Sequence, residues 1–399
     1  MRPTPRGPRR AAGRDIHSRE TELAGNLYQE MHAVFVGHTH FQSVIQALDS
    51  AFELRVEDGD PGTLPCIPVV GPSGVGKTTV FKRFKRSHPI EKDGRRQIDR
   101  SGLVSVSDRV RLLCVTMPVT VSPTKLAREM LHELGDPLYE SGKAEGLDDR
   151  VDNLMRRCAV EGVLIDEGQR VLDRAGVLTA EKMIDWIKDR HARNNAVFAL
   201  FGLARMRKLF EQDVQYDNRW DAELRMEPYA WGGDDAVDLS SRDNFIGLLA
   251  GLRSGSPAPW AAELTIVDEE GAVLDEDVAK RFFYASRGLM GGVKNLLKMA
   301  ARILIEDRKN QTEGGTPGVI DMKLLERAFD REVRKEKANE RLINPFGVEW
   351  DGRLPPPIPE ENEATALAKY KRRSGQARAR RGASRSDRRR EIDAALTKG

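Results

Sequence analysis

Gly71-Pro-Ser-Gly-Val-Gly-Lys-Thr78, entered from the apolar run Cys66-Ile-Pro-Val-Val70, is the stretch that decides how the rest of the chain is read. It satisfies G-x-x-x-x-G-K-[ST] in full, and it lies between a run of strand length and an amphipathic segment that continues through Lys85. Glycines let backbone N–H groups turn inward around phosphate oxygens, where a side chain would block the approach. Lys77 puts a cation against the β and γ phosphates of a nucleotide, and the Thr78 hydroxyl is a ligand for Mg2+. The helix that begins here aims the positive end of its dipole at the same phosphates. Gly71, Pro72, Ser73, Gly74, Val75, Gly76, Lys77, Thr78 and Thr79 are therefore the expected binding residues for ATP, with Mg2+ as the accompanying cation.

Working outward, the next informative stretch is Val163-Leu-Ile-Asp-Glu167. An apolar strand that ends in two acids delivers them to the carboxyl edge of a parallel sheet, where ligands bind in open α/β folds. Asp166 is expected to hold Mg2+ through water, and Glu167 to orient and deprotonate the attacking water. The plain alternative is a strand that runs out into solvent, which the upstream phosphate loop disfavours. In Asp217-Asn218-Arg219-Trp220, the position of Arg219 after the next strand and helix marks it as the third catalytic candidate. There it would reach a neighbouring copy's γ-phosphate, as in ring-forming ATPases. Gly288-Leu-Met-Gly-Gly-Val-Lys-Asn295 opens a long helix, and Lys294 is the candidate there for a contact to bound nucleotide.

The pattern around these motifs predicts an α/β fold: a P-loop NTPase core, a parallel sheet flanked by helices, followed by a small all-helical domain. Strands are expected at 66–70, 111–117, 162–165, 196–201 and 224–226. Helices between them are expected at 124–134, 147–159 and 179–190, and this alternation builds βαβ units. Two helical patterns, about 18–34 and 40–54, lead into the first strand. From Ser241 onward the helical period dominates, over 244–252, 276–286, 292–306 and 321–335, with one weak strand pattern at 263–267. The expected divisions are a disordered basic arm at 1–20, the nucleotide-binding core at 21–240 and the helical domain at 241–346. A Pro-rich linker and basic tail at 347–399 complete the chain, Pro355-Pro-Pro-Ile-Pro359 being its stiff part.

Composition narrows the function classes. The chain has 399 residues, 39% hydrophobic and 32% charged, enough for a core plus appended segments. No apolar run reaches the length of a membrane-spanning helix. The basic start Met1-Arg-Pro-Thr-Pro-Arg6 lacks the apolar stretch of a secretory signal. Cys66, Cys114 and Cys158 show neither zinc spacing nor a disulfide framework, so a cytoplasmic, reducing location is expected. Net charge is only +3, yet five arginines fall within residues 1–14, and residues 369–390 hold eleven basic residues against one acid, Asp387. Basic arms on an acidic body suit electrostatic binding to a polyanion, or equally a solvated tail.

In order and spacing these motifs resemble the AAA+ ATPases, and within them the TniB/TnsC-type transposition ATPases, over about residues 36–346. The resemblance rests on the helical lead-in His40–Phe52, on Val163-Leu-Ile-Asp-Glu-Gly-Gln169, and on Asn218-Arg219-Trp220 as an Arg-Phe box. Arg287-Gly-Leu-Met-Gly-Gly-Val-Lys294 and Asn344-Pro-Phe346 complete it. It implies an ATP-dependent homo-oligomer, a ring or filament, on double-stranded DNA, linking a target-selection protein to a transposase. Such DNA binding would run mostly through phosphates. Lys82-Arg-Phe-Lys-Arg86, Lys92, Arg95, Arg96, the loop 101–111, Lys125 and Arg128 are its candidates. The chain departs from the family at Phe201-Gly202-Leu203, where a polar sensor side chain is usual, and this bears on the rate of hydrolysis. An AAA+ loader or initiator and a nucleotide-gated scaffold with little turnover are the alternatives. An initiator is expected to add a winged helix, and the stretch after Phe346 reads as too short and too polar for one, which counts against that alternative.

Overall fold

The protein is described here by a computed structural model covering residues 27–55, 59–60, 64–98, 104–174, 177–209, 223–232, 236–310, 318–335 and 339–356. The Arg219 segment, the 1–20 arm and the tail lie outside these residues. The chain forms two compact units, one of residues 40–227 and one of residues 1–39 with 228–358, to the extent that these are described. The sequence divisions at 21 and 241 thus differ from where the backbone divides. Leu27 and Met31, on a short helix α1 (27–33), are buried in the helical unit's core, so the start of the lead-in packs there.

The α/β unit is built on five strands, β1 (Cys66–Val70), β4 (Leu112–Thr116), β5 (Gly162–Asp166), β6 (Val197–Gly202) and β7 (Leu224–Arg225). All pair in parallel, in the order β4-β5-β6-β1-β7. β1, β5 and β6 are buried along their whole length, which is why they read as unbroken apolar runs instead of alternating ones. Around them stand α2 (Thr39–Glu53), α3 (Lys77–Ser87), α4 (Pro123–Glu133), α5 (Ala144–Arg157), α6 (Arg170–Arg174) and α7 (Val177–Arg193). α4 shows how sequence sets a helix: Ser122 accepts from Lys125 N at 3.2 Å, Pro123 takes the first turn, and Leu126, Ala127, Met130 and Leu131 form the buried stripe. α5 and α7 are joined by Arg190, 1% exposed, whose guanidinium faces Asp152 at 3.4 Å and Asp189 at 2.5 Å. Asn194 donates to Asp152 at 2.9 Å from the following turn.

One expectation is corrected. Residues 101–111 were read as a loop, but Val104–Arg109 is a strand, β3, antiparallel to β2 (Glu91–Ile98) in a separate hairpin. β2 is polar up to its last residue, Ile98, so it shows no hydrophobic period. Val104 and Val106 are exposed, so the alternation in β3 marks a ribbon edge and not a core face.

The helical unit holds α8 (Ala236–Ser254), α9 (Glu276–Ser286), α10 (Met290–Asn310) and α11 (Met322–Glu332). The weak strand pattern at 263–267 is instead a short 3-10 turn, Ala262–Leu264, followed by a single bridge from Val267 to Val273. Asp275 and Asp321 cap α9 and α11 by accepting from backbone N–H groups. The Asn344-Pro-Phe346 segment closes this unit: Asn344 donates to Glu326 O at 2.9 Å, and Phe346 packs edge-on against Phe282 at 5.3 Å.

Candidate functional site

The phosphate loop leaves the end of β1 and turns into α3 at Gly76, which caps the helix at φ 116°, a backbone conformation that an L side chain rarely adopts. Thr79 N and Val80 N both donate to Gly76 O, at 2.8 and 3.1 Å, which closes the first turn of α3 on the cap residue. Lys77 is half-buried, its Nζ donating to Gly71 O at 2.6 Å and Pro72 O at 2.7 Å. Burial lowers its ammonium from 10.5 to about 8, while the charges of Asp166 and Glu167 pull the other way. The two carboxylates come from another strand, yet their charges reach this lysine. Thr78 is exposed and Thr79 half-buried on the first turn.

The topology explains the meeting. β6 lies between β1 and β5, in register Val70 to Gly202 on one side and Ile165 to Leu200 on the other, so three strand ends share one edge. Gly71 N donates to Gly202 O at 3.3 Å, tying the loop to β6. Asp166 is 8% exposed, and burial raises its carboxyl above the usual range, partly offset by the hydrogen bond it accepts from Glu167 N at 2.7 Å. Glu167 has φ 62°, in the left-handed region. For a residue with a Cβ that costs about 1–2 kcal/mol, strain of the kind that gathers at functional sites. Its Oε2 accepts from Gln169 Nε2 at 3.1 Å and faces Arg170 Nε at 3.2 Å.

The sequence candidates thus fall into three groups. Gly71 to Thr79, Asp166 and Glu167 come together at one sheet edge. Lys294 is half-buried on α10 in the helical unit, and Arg219 lies outside the described residues. Gln169 and Arg170 were missed as site residues. Gln169 was quoted only as part of a family stretch, and its spacing from Glu167 carries a meaning only once the left-handed turn at Glu167 folds it back. A sparse set of oxygens suits Mg2+, which keeps most of its waters and takes few protein ligands. Among the described residues no cluster of three or more His, Cys, Asp or Glu stands ready for a metal that needs an all-protein cage.

Against known families, residues 29–229 match the model of the bacterial TniB protein. The chain belongs to the TniB family. No curated protein matches it. Solved structures similar to this TniB-family chain include the Orc1 protein of Aeropyrum pernix in complex with DNA, at 14% identity and TM-score 0.47, covering 75% of this chain and 66% of that one. The Orc2 protein of the same organism, in ADPNP–ADP complexes, has 14% identity and TM-score 0.48, over 72% and 66%. The Walker-type ATPase PABY2304 of Pyrococcus abyssi has 8% identity and TM-score 0.40, over 76% of each chain. The TniB-family chain therefore spans 66% of the length of the two Aeropyrum proteins.

Proposed function

We propose that this TniB-family chain binds and hydrolyses ATP, and that its ATP-bound copies assemble on double-stranded DNA to regulate transposition, connecting a target-selection protein to the transposase. The observation that carries the enzymatic part is the meeting of the phosphate loop after β1 with Asp166 and Glu167 at the end of β5, on one edge of the sheet. In this reading the loop amides and Lys77 hold the polyphosphate, Thr78 and Asp166 hold Mg2+, and Glu167 takes the proton of the attacking water. Mg2+, when bound, supplies neutralisation of phosphate charge. Arg219 of a neighbouring copy would complete the site, which makes assembly depend on the triphosphate, and Lys294 would contact nucleotide from the helical unit.

The DNA part is supported by family membership and by exposed cations: Lys82, Arg83 and Arg86 on α3, Lys92 and Arg96 on the β2–β3 hairpin, and Lys125 on α4. Contacts of this kind go to phosphates, so the predicted binding is weak in sequence preference and steep in salt dependence. A scaffold with little turnover is favoured by one feature, the apolar Phe201-Gly202-Leu203 after β6, and phosphate release separates the two readings. The test of assembly is electron microscopy of the full chain with duplex DNA and an ATP analogue, ADP or no nucleotide. Rings or filaments only with the analogue are expected; single particles in every condition overturn the assembly reading.

A further inference from the structure

At the end of β6 a side chain on Gly202 would crowd the turn after β5. A Cβ on Gly202 would stand 2.8 Å from the Met206 sulfur and 3.0 Å from Gln169 Oε1. The space is filled from the other strand's loop. Gly168 N donates to Phe201 O at 2.8 Å, which lays the turn after β5 against β6, and Leu203 N donates to Gln169 Oε1 at 3.3 Å. That second bond fixes the amide's orientation: with its oxygen taken by a backbone N–H, the nitrogen must point the other way. It points to Glu167, donating to Oε2 at 3.1 Å. Gln169 is 8% exposed, so neither bond is readily exchanged for water.

We propose that Gln169 is the positioning residue for the Glu167 carboxylate, supplying from the turn after β5 the polar contact that Gly202 excludes from β6. Arg170 works beside it. Its Nη1 donates to Met117 O at 2.6 Å, just past β4, and its Nε faces the same Glu167 oxygen at 3.2 Å. One carboxylate oxygen thereby accepts a hydrogen bond from Gln169 and pairs with the Arg170 guanidinium, each anchored to a different strand end, and the Gln169 bond leaves Oε1 untouched. Oε1 is left to accept a proton from water.

This inference rests on the reading that the site hydrolyses ATP, and the experiment separates the two. Steady-state phosphate release and nucleotide affinity are measured for the full chain, for Glu167→Gln, and for two variants that preserve side-chain size, Gln169→Glu and Gln169→Met. Gln169→Glu keeps the acceptor for Leu203 N but sets a like charge against Glu167; Gln169→Met removes both bonds. The positioning role predicts at least about ten-fold lower kcat for Gln169→Glu, below the rate of Gln169→Met, with nucleotide affinity within about two-fold of the parent. A purely structural bridge predicts the opposite order, Gln169→Glu near the parent and Gln169→Met slow, and that result overturns the inference. Parent-like rates in both variants overturn it too. A parent without turnover, or a Glu167→Gln variant as fast as the parent, overturns the hydrolytic reading itself, and the role of Gln169 falls with it.

Discussion

At the residue scale the site is a question of where two signs of charge are held out of water. Lys77 is lowered to about 8 by burial, against the pull of Asp166 and Glu167. A polyphosphate beside it favours the ammonium and raises that value, so binding takes up protons where the free lysine has begun to lose them. Nucleotide affinity should therefore be level below pH 8 and fall as pH rises through and above it. Calorimetry in buffers of different ionisation enthalpy should detect proton uptake near pH 8 that Lys77→Met abolishes. The same substitution should weaken binding about ten- to hundred-fold, the size of a lost charged hydrogen bond. A pH-independent affinity in the parent would show that Lys77 does not titrate with the ligand. Asp166 is shifted the opposite way: burial raises its carboxyl, and a bound cation would lower it.

At the scale of elements, the buried parallel strands were legible because a strand covered on both faces reads as an unbroken apolar run, and α9 was read to its observed bounds, Glu276–Ser286, because Asp275 caps a clear helical period. What stayed hidden has physical causes. The β2–β3 hairpin buries little of itself, so no apolar face marks it. Gln169 and Arg170 act on Glu167 only through a left-handed turn, which one-letter spacing does not display. The packing of α5 on α7 was equally invisible, because a buried arginine looks like any other basic residue. Arg190→Met leaves Asp152 with Asn194 alone, and removing one partner of a buried ion network costs about 3–5 kcal/mol. Urea unfolding should register that loss, whereas an unchanged midpoint would mean that Asp152 and Asp189 are hydrated without the guanidinium.

At the scale of the whole molecule, two hydrophobic cores serve two units, and the chemistry is concentrated in the α/β one. Phe282, stacked on Trp260 at 5.4 Å and fully buried, belongs to the helical core. Phe282→Ala should destabilise that unit by about 3–5 kcal/mol, and scanning calorimetry should show a lowered transition; an unchanged trace would mean that the ring contributes little to the helical core. The central claim is that the phosphate loop and the two acids at the end of β5 make an ATP-hydrolysing site with Glu167 as its base. Its most direct test is single-turnover phosphate release by the full chain and by Glu167→Gln, both saturated with MgATP and duplex DNA. The account predicts that the variant binds ATP as tightly as the parent and releases phosphate about 100-fold more slowly or worse; equal rates in the two proteins would contradict it.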